Sequence, residues 1–345
     1  MTLLLNYKPV LSQPTGIGVY ANAILPDLQC LSHILIPGGS PGSHVERITR
    51  FAWTQIHLPS VARRNRASLI FTPAPEGYLG QQTIPQVMMV HDLRPLSHPK
   101  LTLQSFYFKA WVPSLLRQAK HLLTNSNHTA LEILRLTGIN EQKLTVIPLG
   151  YDSSLYKPSQ AAPNSHERPY ILHVGQAYPH KNIGRLICAF ALVRVQHPDL
   201  QLVLVGKSLG RESQRIVHLI SQLQLDSHVL FKHYVPREEL PALYQHAIAF
   251  VYPSLWEGFG LPILEAMACG TPVITSYGSG TEEIASNCAV LVNPYSINSI
   301  ADAINMLVIN PAMRARLHAL GNKRVRAFSW KRTALATADL LSSLM

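Results

Sequence analysis

The segment from Ala247 to Ser276 constrains the fold of this chain more than any other stretch of its sequence. It reads AIAFVYPSLWEGFGLPILEAMACGTPVITS, in which two apolar runs of buried-strand length flank a glycine-containing loop and a short helical pattern. Pro262 suits the first position of the helix, and Gly270 suits the residue just beyond its last turn. The segment therefore predicts a strand, loop, helix and strand, with the loop at the strand end where ligands bind in open α/β sheets.

Two glutamates stand eight residues apart in this segment, Glu257 in the loop and Glu265 in the helix. We expect Glu265 in the first helical turn, beside backbone N–H groups that have no partner inside the helix. Alone, two such acids would indicate one residue that complements the helix dipole and one solvated loop residue. Gly258 and Gly260 on either side of Phe259 favour a ligand pocket instead, because they let the backbone approach a ligand closely.

Residues 253–276, PSLWEGFGLPILEAMACGTPVITS, resemble the Glu-x7-Glu signature of glycosyltransferase family 4, the retaining, nucleotide-sugar-dependent enzymes of the GT-B fold. The resemblance extends over nearly the whole chain and is densest from Tyr170 to Pro294. It implies an α/β fold in which two doubly wound, Rossmann-like domains face a central cleft. It also implies that Glu265 binds the donor ribose, while Glu257 and the loop after it hold the transferred sugar. That donor-binding loop comprises Gly258, Phe259, Gly260 and Leu261.

The length of 345 residues exceeds what one hydrophobic core usually supports, which predicts two domains. The first half contains the apolar runs LIFTP, QVMMVHDL, HLLTNS and LTVIPLG, and the second half contains YILHVG, LQLVLVG, VLFKHY, IAFVYPS and PVITS. Helical stretches such as 104–119 and 127–136 separate them, as in doubly wound folds. We expect an N-terminal acceptor-side domain (1–152), a linker (153–168), a nucleotide-sugar domain (169–325) and a terminal helix (326–345). In the resembling family this helix crosses back to the first domain.

Composition fits a well-buried globular protein, with 47% hydrophobic and 14% charged residues. No apolar run reaches the roughly 18 residues that a transmembrane helix needs. The N-terminal residues lack the pattern of a secretory signal, and the four isolated cysteines fit a reducing cytoplasm. Neither a clustered Asp-x-Asp nor a His/Cys ligand spacing occurs, so we expect no metal and no cofactor besides the nucleoside diphosphate sugar that serves as donor.

The net charge of +11 raises the question of nucleic-acid or membrane binding. The basic excess is spread over both halves of the chain, and its one dense group is Arg63, Arg64 and Arg66. No recognition helix, zinc pattern or aromatic-basic surface accompanies that group, so nucleic-acid binding is not expected. Peripheral contact with an anionic membrane stays open, which would place the protein in the cytoplasm or at the cytoplasmic face of the membrane.

Gly16 and Gly18 in TGIGVYAN open an apparent helix with the weak dinucleotide pattern G-x-G-x-x-A. A nicotinamide cofactor site would place an acid about 20 residues later for the ribose, and the chain has LIP at 35–37 instead, which disfavours NAD. In the resembling family this turn lies across the cleft from the donor, where it meets the diphosphate or admits the acceptor. A plain tight turn is the alternative.

His91 and Asp92 follow the apolar run QVMMV and are expected at its carboxyl end. An isolated buried histidine is more often structural than catalytic. The triplet HDL nevertheless resembles the family's catalytic-centre position, which implies that His91 contacts the donor sugar. Asp92 either orients His91 or caps the following turn.

Lys181 lies in VGQAYPHKN, just before a helical run that begins near Ile183. A cation and a helix N-terminus would converge there on one diphosphate, although a loop lysine is usually only solvated. The resemblance aligns Lys181 with the donor-phosphate lysine of the family. Where many members carry an arginine after the first glycine, this chain has Gln176. Arg185 either substitutes for that missing arginine or is a solvated residue on the helix surface.

Two further segments carry weaker signals. Asn125, Ser126 and Asn127 follow the run HLLT and are explained by capping of the next helix. Glu283 in GSGTEEIASN matches a glutamate that the family places near the far rim of the nucleotide site, and a solvated helix-start residue is the equal alternative.

Together these patterns predict a retaining glycosyltransferase that moves a hexose from a nucleoside diphosphate sugar to an acceptor hydroxyl in glycan or glycolipid synthesis. TGIGVY, HDL, PHKN and EGFGLP together look most like the bacterial mannosyltransferase-like group, so GDP-mannose is the first expected donor and UDP-glucose the second. The expected partners are the nucleotide sugar and a glycan or lipid-linked acceptor. Alternatives are a GT-B protein that binds sugar nucleotides without catalysis and a GT-B sugar-nucleotide epimerase.

Overall fold

The computed structural model describes residues 1–11, 16–38, 44–81, 83–97, 109–158, 168–206 and 210–345. By backbone packing the chain divides into one unit of Met1–Gly150 with Trp330–Met345 and a second unit of Tyr151–Ser329. The predicted linker and the start of the helix predicted over 104–119 lie partly outside the described residues. None of the helices in the described ranges combines the length and the apolar character that crossing a bilayer requires.

Among its described residues the first unit contains a parallel sheet of six strands in the order β2-β1-β3-β4-β5-β6. The strands are β1 (Leu3–Asn6), β2 (His33–Ile36), β3 (Leu69–Thr72), β4 (Gln86–Val90), β5 (His121–Thr124) and β6 (Leu144–Val146). The helices described between them are α1 (Gly16–Leu28), α2 (His44–Arg64), α3 (Arg94–Ser97), α4 (Val112–Gln118) and α5 (Asn127–Thr137). Strands β3, β4 and β5 are buried along their whole length, because helices cover both faces of a parallel sheet.

The described part of the second unit contains another parallel sheet, in the order β12-β11-β10-β7-β8-β9. Its strands are β7 (Tyr170–Val174), β8 (Gln201–Val205), β9 (Val229–Lys232), β10 (Ala249–Tyr252), β11 (Val273–Ser276) and β12 (Val290–Val292). Its helices are α6 (Ile183–Arg194), α7 (Arg211–Gln222), α8 (Leu240–His246), α9 (Leu261–Ala268), α10 (Gly280–Ala285), α11 (Ile297–Ile309) and α12 (Pro311–Val325). The last helix, α13 (Trp330–Leu344), belongs to the first unit and packs on α1.

The strand order of the second sheet reverses direction between two neighbours, β7 and β10. From β7 the chain first adds β8 and β9 on one side, and it then crosses to the other side to add β10, β11 and β12. Helices α6 and α11 pack against each other, and Phe190 and Ile304 from these helices lie fully buried in the core. A reversal of this kind leaves a crevice at the carboxyl ends of the two strands, which is where open α/β sheets bind ligands.

The predicted class, an α/β fold with two doubly wound Rossmann-like sheets, is confirmed. Three strands were absent from the predicted set, namely β1, β2 and β12. Each contains only three or four residues, and a run of leucines such as residues 3–5 has a weaker strand preference than β-branched or aromatic residues.

Candidate functional site

Polar side chains from two different segments meet where β7 and β10 end. Lys181 lies on the 3₁₀ turn Pro179–Lys181 after β7, and Glu257 lies on the loop after β10. The Lys181 Nζ is 2.7 Å from the Glu257 Oε1, and only 14% and 13% of these side chains are exposed. The site thus contains an ion pair that is largely withdrawn from water.

Tyr252, the last residue of β10, completes this cluster. Its hydroxyl accepts a hydrogen bond from the Lys181 Nζ, which lies 4.8 Å from its ring centroid. Burial alone would lower the pKa of Lys181, but the Tyr252 oxygen and the Glu257 carboxylate outweigh it and raise that pKa. Lys181 therefore keeps its positive charge in a site with little water.

The glycine loop has a shape that its sequence requires. Gly260 has φ of +107°, a conformation that L side chains rarely adopt, and α9 begins at the next residue, Leu261. The backbone N–H of Gly280 donates to the Glu257 carbonyl at 3.0 Å, and a Cβ at Gly280 would lie 2.2 Å from the Gly258 carbonyl oxygen. The start of α10 therefore holds the loop that carries Glu257.

The Phe259 side chain in this loop is buried in the protein interior. Its side chain is only 5% exposed, and its ring packs edge-on against Phe328 at a centroid distance of 6.1 Å. The Phe259 ring therefore anchors the loop to the segment after α12.

Glu265 does not lie in the first helical turn, and that prediction was wrong. Helix α9 starts at Leu261, so Pro262 is its second residue and Glu265 its fifth. The reason is the left-handed Gly260, which brings the helix start one residue forward, to Leu261, while proline is compatible with either of the first two positions. The Glu265 backbone carbonyl accepts from the Cys269 N–H at 3.0 Å, as in the body of a helix.

The Glu265 carboxylate belongs to a second polar cluster, formed with tyrosines. The Tyr244 hydroxyl donates to the Glu265 Oε2 at 3.0 Å, and the Tyr156 ring packs edge-on against the Tyr244 ring at a centroid distance of 6.1 Å. Burial raises the pKa of Glu265, and the hydrogen bond from Tyr244 and the charge of Arg237 oppose that rise. The Arg237 guanidinium in turn lies 5.9 Å from the Tyr156 ring and pairs with Asp152 at 3.3 Å.

Asn182 joins the loops around the first cluster. It caps α6 in the left-handed conformation, with φ of 60°, and its Nδ2 donates to the carbonyls of Pro253 at 2.9 Å and Pro294 at 2.6 Å. Its Oδ1 accepts from the Arg185 Nη1 at 2.9 Å. The loops after β7, β10 and β12 are therefore tied together at one amide, beside Lys181.

Arg185 and Gln176 are placed differently from Lys181. The Arg185 guanidinium is engaged by Asn182 and lies 5.6 Å from the exposed Tyr295 ring, so it serves this loop junction. Gln176 is exposed, and its backbone carbonyl accepts from the Tyr178 N–H at 2.7 Å. Neither side chain joins the Lys181 and Glu257 cluster.

His173 in β7 was not predicted to be near the site, yet it lies beneath it. It is fully buried, and its ring stacks on Tyr252 at 5.6 Å with an interplanar angle of 19°. Its Nδ1 donates to the Val251 carbonyl at 2.9 Å, and burial lowers its pKa to about 4. His173 is therefore neutral near pH 7 and adds no positive charge beside Lys181.

Glu283 lies in the first turn of α10, and its backbone carbonyl accepts from the Arg324 Nη2 at 2.8 Å. The neighbouring Glu282 holds the preceding loop, because its Oε2 accepts from the Gly278 N–H at 2.7 Å. Glu283 thus lies at the start of a helix, and it is not part of the Lys181–Glu257 cluster or of the Glu265 cluster.

The remaining predicted residues lie in the first unit. Gly16 is the first residue of α1 and Gly18 is buried within it. His91 follows β4, its Nε2 donates to the Pro73 carbonyl at 3.1 Å, and its ring meets Tyr20 edge-on at 5.0 Å. Burial lowers the pKa of His91 to about 4, so it is a neutral hydrogen-bonding group near pH 7.

Two capping predictions also concern the first unit. The Asp92 Oδ1 accepts from the Arg94 N–H at 3.2 Å, at the first residue of α3, which matches the capping role, one of the two alternatives given for Asp92. Ser126 caps α5 by accepting from the Thr129 N–H at 3.1 Å, so capping explains this turn as predicted. The amide of Asn125 instead donates to the His91 carbonyl at 3.2 Å.

Within the described ranges, no group of three or more His, Cys, Asp or Glu side chains is placed to hold a metal ion. Among the described residues, the positive groups around the crevice after β7 and β10 include the Lys181 ammonium and the N-terminus of α6, which follows two residues later, and Arg185 lies in the first turn of that helix. An arrangement of this kind can bind an anionic phosphate without a metal.

Comparison with known proteins identifies the family of this chain. Residues 17–155 match the model of Glycosyltransferase Family 4, and residues 157–324 match the model of Glycosyl transferases group 1. The chain is 30% identical over 280 residues to O-antigen chain mannosyltransferase B of Escherichia coli, covering 77% of this chain and 72% of the relative. It is 35% identical over 221 residues to O-antigen chain mannosyltransferase RfbU of Salmonella typhimurium, covering 64% and 60%.

Solved structures agree on the fold. Sucrose-phosphate synthase from Thermosynechococcus elongatus superposes with a TM-score of 0.82 at 22% identity, covering 100% of this chain and 99% of that one. Anabaena HepE in complex with UDP and glucose superposes with a TM-score of 0.80 at 19% identity, covering 99% and 100%. This protein therefore belongs to glycosyltransferase family 4 and is a glycosyltransferase of the GT-B fold.

Proposed function

We propose that this protein transfers a hexose, with retention of configuration, from a nucleoside diphosphate sugar to a hydroxyl of a glycan or lipid-linked acceptor. GDP-mannose is the first proposed donor, because the two relatives described above are named mannosyltransferases. UDP-glucose is the second, because a structural neighbour was solved with UDP and glucose. The observation that carries the proposal is the buried Lys181–Glu257 pair at the switch point of the second sheet.

The diphosphate is proposed to bind at Lys181 and the N-terminus of α6. The ammonium has three N–H donors, and its described side-chain partners are Tyr252 and Glu257, which leaves one donor for a phosphate oxygen. Charge that develops on the leaving diphosphate would be stabilised by this cation and by the helix N-terminus. In the first unit, the turn at Gly16 and Gly18 is proposed to contribute backbone donors to the same group.

The sugar and the nucleoside are proposed to bind at the two different glutamates. Glu257 and the backbone of residues 258–261 would hold the hexose, and His91 would contact it as a neutral imidazole. Glu265 would accept hydrogen bonds from the ribose hydroxyls. Tyr244 already donates to the Glu265 Oε2, which shows that this carboxyl group can accept hydrogen bonds from hydroxyl groups.

The proposed reaction requires no enzymic nucleophile. The bond between the anomeric carbon and the diphosphate oxygen breaks, and the acceptor oxygen forms the new bond on the same face of the sugar. The acceptor proton passes to the departing phosphate oxygen, so charge is balanced within the donor and acceptor. Lys181 and Glu257 then act by position and electrostatics.

A thermal-shift panel with GDP-mannose, UDP-glucose and ADP-glucose tests this function. A donor present at 100 times its dissociation constant should add about 2.7 kcal/mol of stability. Lys181→Ala should lose that gain, whereas Lys323→Ala, at an exposed lysine on α12, should keep it. Donor turnover in the presence of acceptor confirms catalysis. Binding without turnover would indicate a sugar-nucleotide-binding protein instead.

Peripheral membrane contact is proposed separately, on the basis of Arg63, Arg64 and Arg66. All three are exposed at and after the end of α2. Clustered arginines of this kind attract anionic lipid. Co-sedimentation with vesicles that contain phosphatidylglycerol should fall when all three are changed to glutamine, and equal binding by the triple variant would contradict the proposal.

A further inference from the structure

Tyr252 lies beside the two charged groups of the site and touches one of them, the Lys181 ammonium. An uncharged phenol has one O–H donor and can accept at its oxygen. The oxygen accepts from the Lys181 ammonium. Lys181 also donates directly to Glu257 at 2.7 Å, so the ammonium links the phenol to the carboxylate.

The Tyr252 ring is fixed by the core of the second unit. The side chain is 1% exposed. One neighbour, His173, stacks on it at 5.6 Å and 19°, and another, Phe250, stacks at 5.6 Å and 23°. The Tyr252 backbone carbonyl accepts from the Thr275 hydroxyl at 2.9 Å on the adjacent strand. A ring held in this way gives its hydroxyl one position.

Lys181 and Glu257 have no comparable support of their own. Both side chains are long, and both reach the site from segments outside the sheet, the 3₁₀ turn before α6 and the glycine loop before α9. A side chain with many rotamers loses conformational freedom when it is held in one place. The rigid group of the three is therefore the phenol, which positions the Lys181 ammonium, and the ammonium in turn positions the Glu257 carboxylate.

We propose that Tyr252 is a positioning residue of the donor site, whose hydroxyl sets the Lys181 ammonium against the terminal phosphate of a nucleoside diphosphate and, through that ammonium, sets Glu257 against the sugar. The inference rests on the proposed function. It extends that function to Tyr252, which is proposed to act through Lys181 and not to contact the nucleoside. Its effect should therefore appear only when the ligand carries the second phosphate.

Tyr252→Phe removes the hydroxyl and keeps the ring between His173 and Phe250. Tyr170→Phe is the matched control, because Tyr170 is a fully buried tyrosine on β7 whose hydroxyl donates to the backbone carbonyl of Leu243 at 2.8 Å. Calorimetric titration compares GDP with GMP, and UDP with UMP, for the wild type and both variants. Thermal melts of the same samples show that each variant is folded.

We expect Tyr252→Phe to weaken binding of the diphosphate roughly 10- to 150-fold, as for the loss of one hydrogen bond to a charged partner, and to leave the monophosphate unchanged. Tyr170→Phe should leave both ligands unchanged. Equal diphosphate affinity in Tyr252→Phe and the wild type would overturn the inference, and so would equal losses for diphosphate and monophosphate, which indicate a general effect on the fold. If neither GDP nor UDP binds the wild type, the proposed function itself fails.

Discussion

Lys181→Met should destabilise the protein and remove nucleotide binding, and the two effects can be separated. The substitution leaves the Glu257 carboxylate, 13% exposed, without the cation that lies 2.7 Å away. Removing one partner of a buried ion pair costs about 3–5 kcal/mol. Because some of each side chain still reaches water, we expect the lower end, about 3 kcal/mol.

The second change, Glu257→Gln in the Lys181→Met background, should restore much of the lost stability. An amide in place of the carboxylate removes the uncompensated charge. Binding of GDP or UDP should not return, because the cation for the phosphate is still missing. Lys181→Met alone should weaken that binding by about 1.5–3 kcal/mol.

Urea unfolding of the wild type, both single variants and the double variant measures the coupling free energy of the pair, and calorimetry measures nucleotide binding. Lys331→Met is the control, because Lys331 pairs with Asp27 but has 69% of its side chain exposed. An exposed pair of this kind contributes about 0–1 kcal/mol. Single-variant effects that add within about 0.5 kcal/mol would refute the reasoning, since independent sites add in this way.

Three further predictions concern the first unit, pH and metals. His91→Asn should lower donor turnover roughly 10- to 100-fold and leave the affinity for bare GDP or UDP unchanged, since the imidazole is proposed to contact the sugar; an equal loss for the bare nucleotide would contradict that role. His91 and His173 both have a pKa lowered to about 4 by burial, so the folded state binds their protons less readily than the unfolded state does. The stability that the protein gains from keeping these rings neutral is complete above about pH 6.5 and is lost as the pH falls toward 4, by up to about 1.4 kcal/mol per pH unit for each ring. Urea unfolding at pH 7.5, 5.5 and 4.5 measures this loss. A free energy of unfolding that does not change over this range would contradict the prediction. Activity should survive EDTA, because Lys181 and a helix N-terminus are expected to stabilise the leaving group; loss of activity with rescue by magnesium or manganese would show that a metal is needed.

The sequence predicts those parts of the fold that depend on local pattern. Strands β3 to β11 lie within continuous apolar runs, and the helix after Lys181 starts within two residues of that lysine, as expected. The short edge strand β12 was not predicted, because it is only three residues long and is not fully buried, with Leu291 at its centre 37% exposed. The position of Glu265 was missed because proline alone does not specify whether it is the first or second helical residue.

The sequence cannot predict which distant residues share the site. His173 and Val251 are 78 positions apart, and they meet only because the chain crosses over to place β10 beside β7. Tyr252 and His173 also lie inside apolar runs, where an aromatic or histidine side chain is expected to be core. Their stacking and the hydroxyl contact with Lys181 depend on the strand order, which periodicity does not specify.

Separate substitutions of the two glutamates test the central claim most directly, namely that Glu265 binds the nucleoside and Glu257 the transferred sugar. Glu265→Gln and Glu257→Gln are each titrated by calorimetry with the bare nucleoside diphosphate and with the full donor. Glu265→Gln should weaken both ligands by about 1.5–3 kcal/mol, because the lost hydrogen bonds go to the ribose that both contain. Glu257→Gln should leave the bare nucleotide nearly unchanged and should depress turnover of the donor. Equal losses for the bare nucleotide in the two variants would contradict this division between nucleoside and sugar.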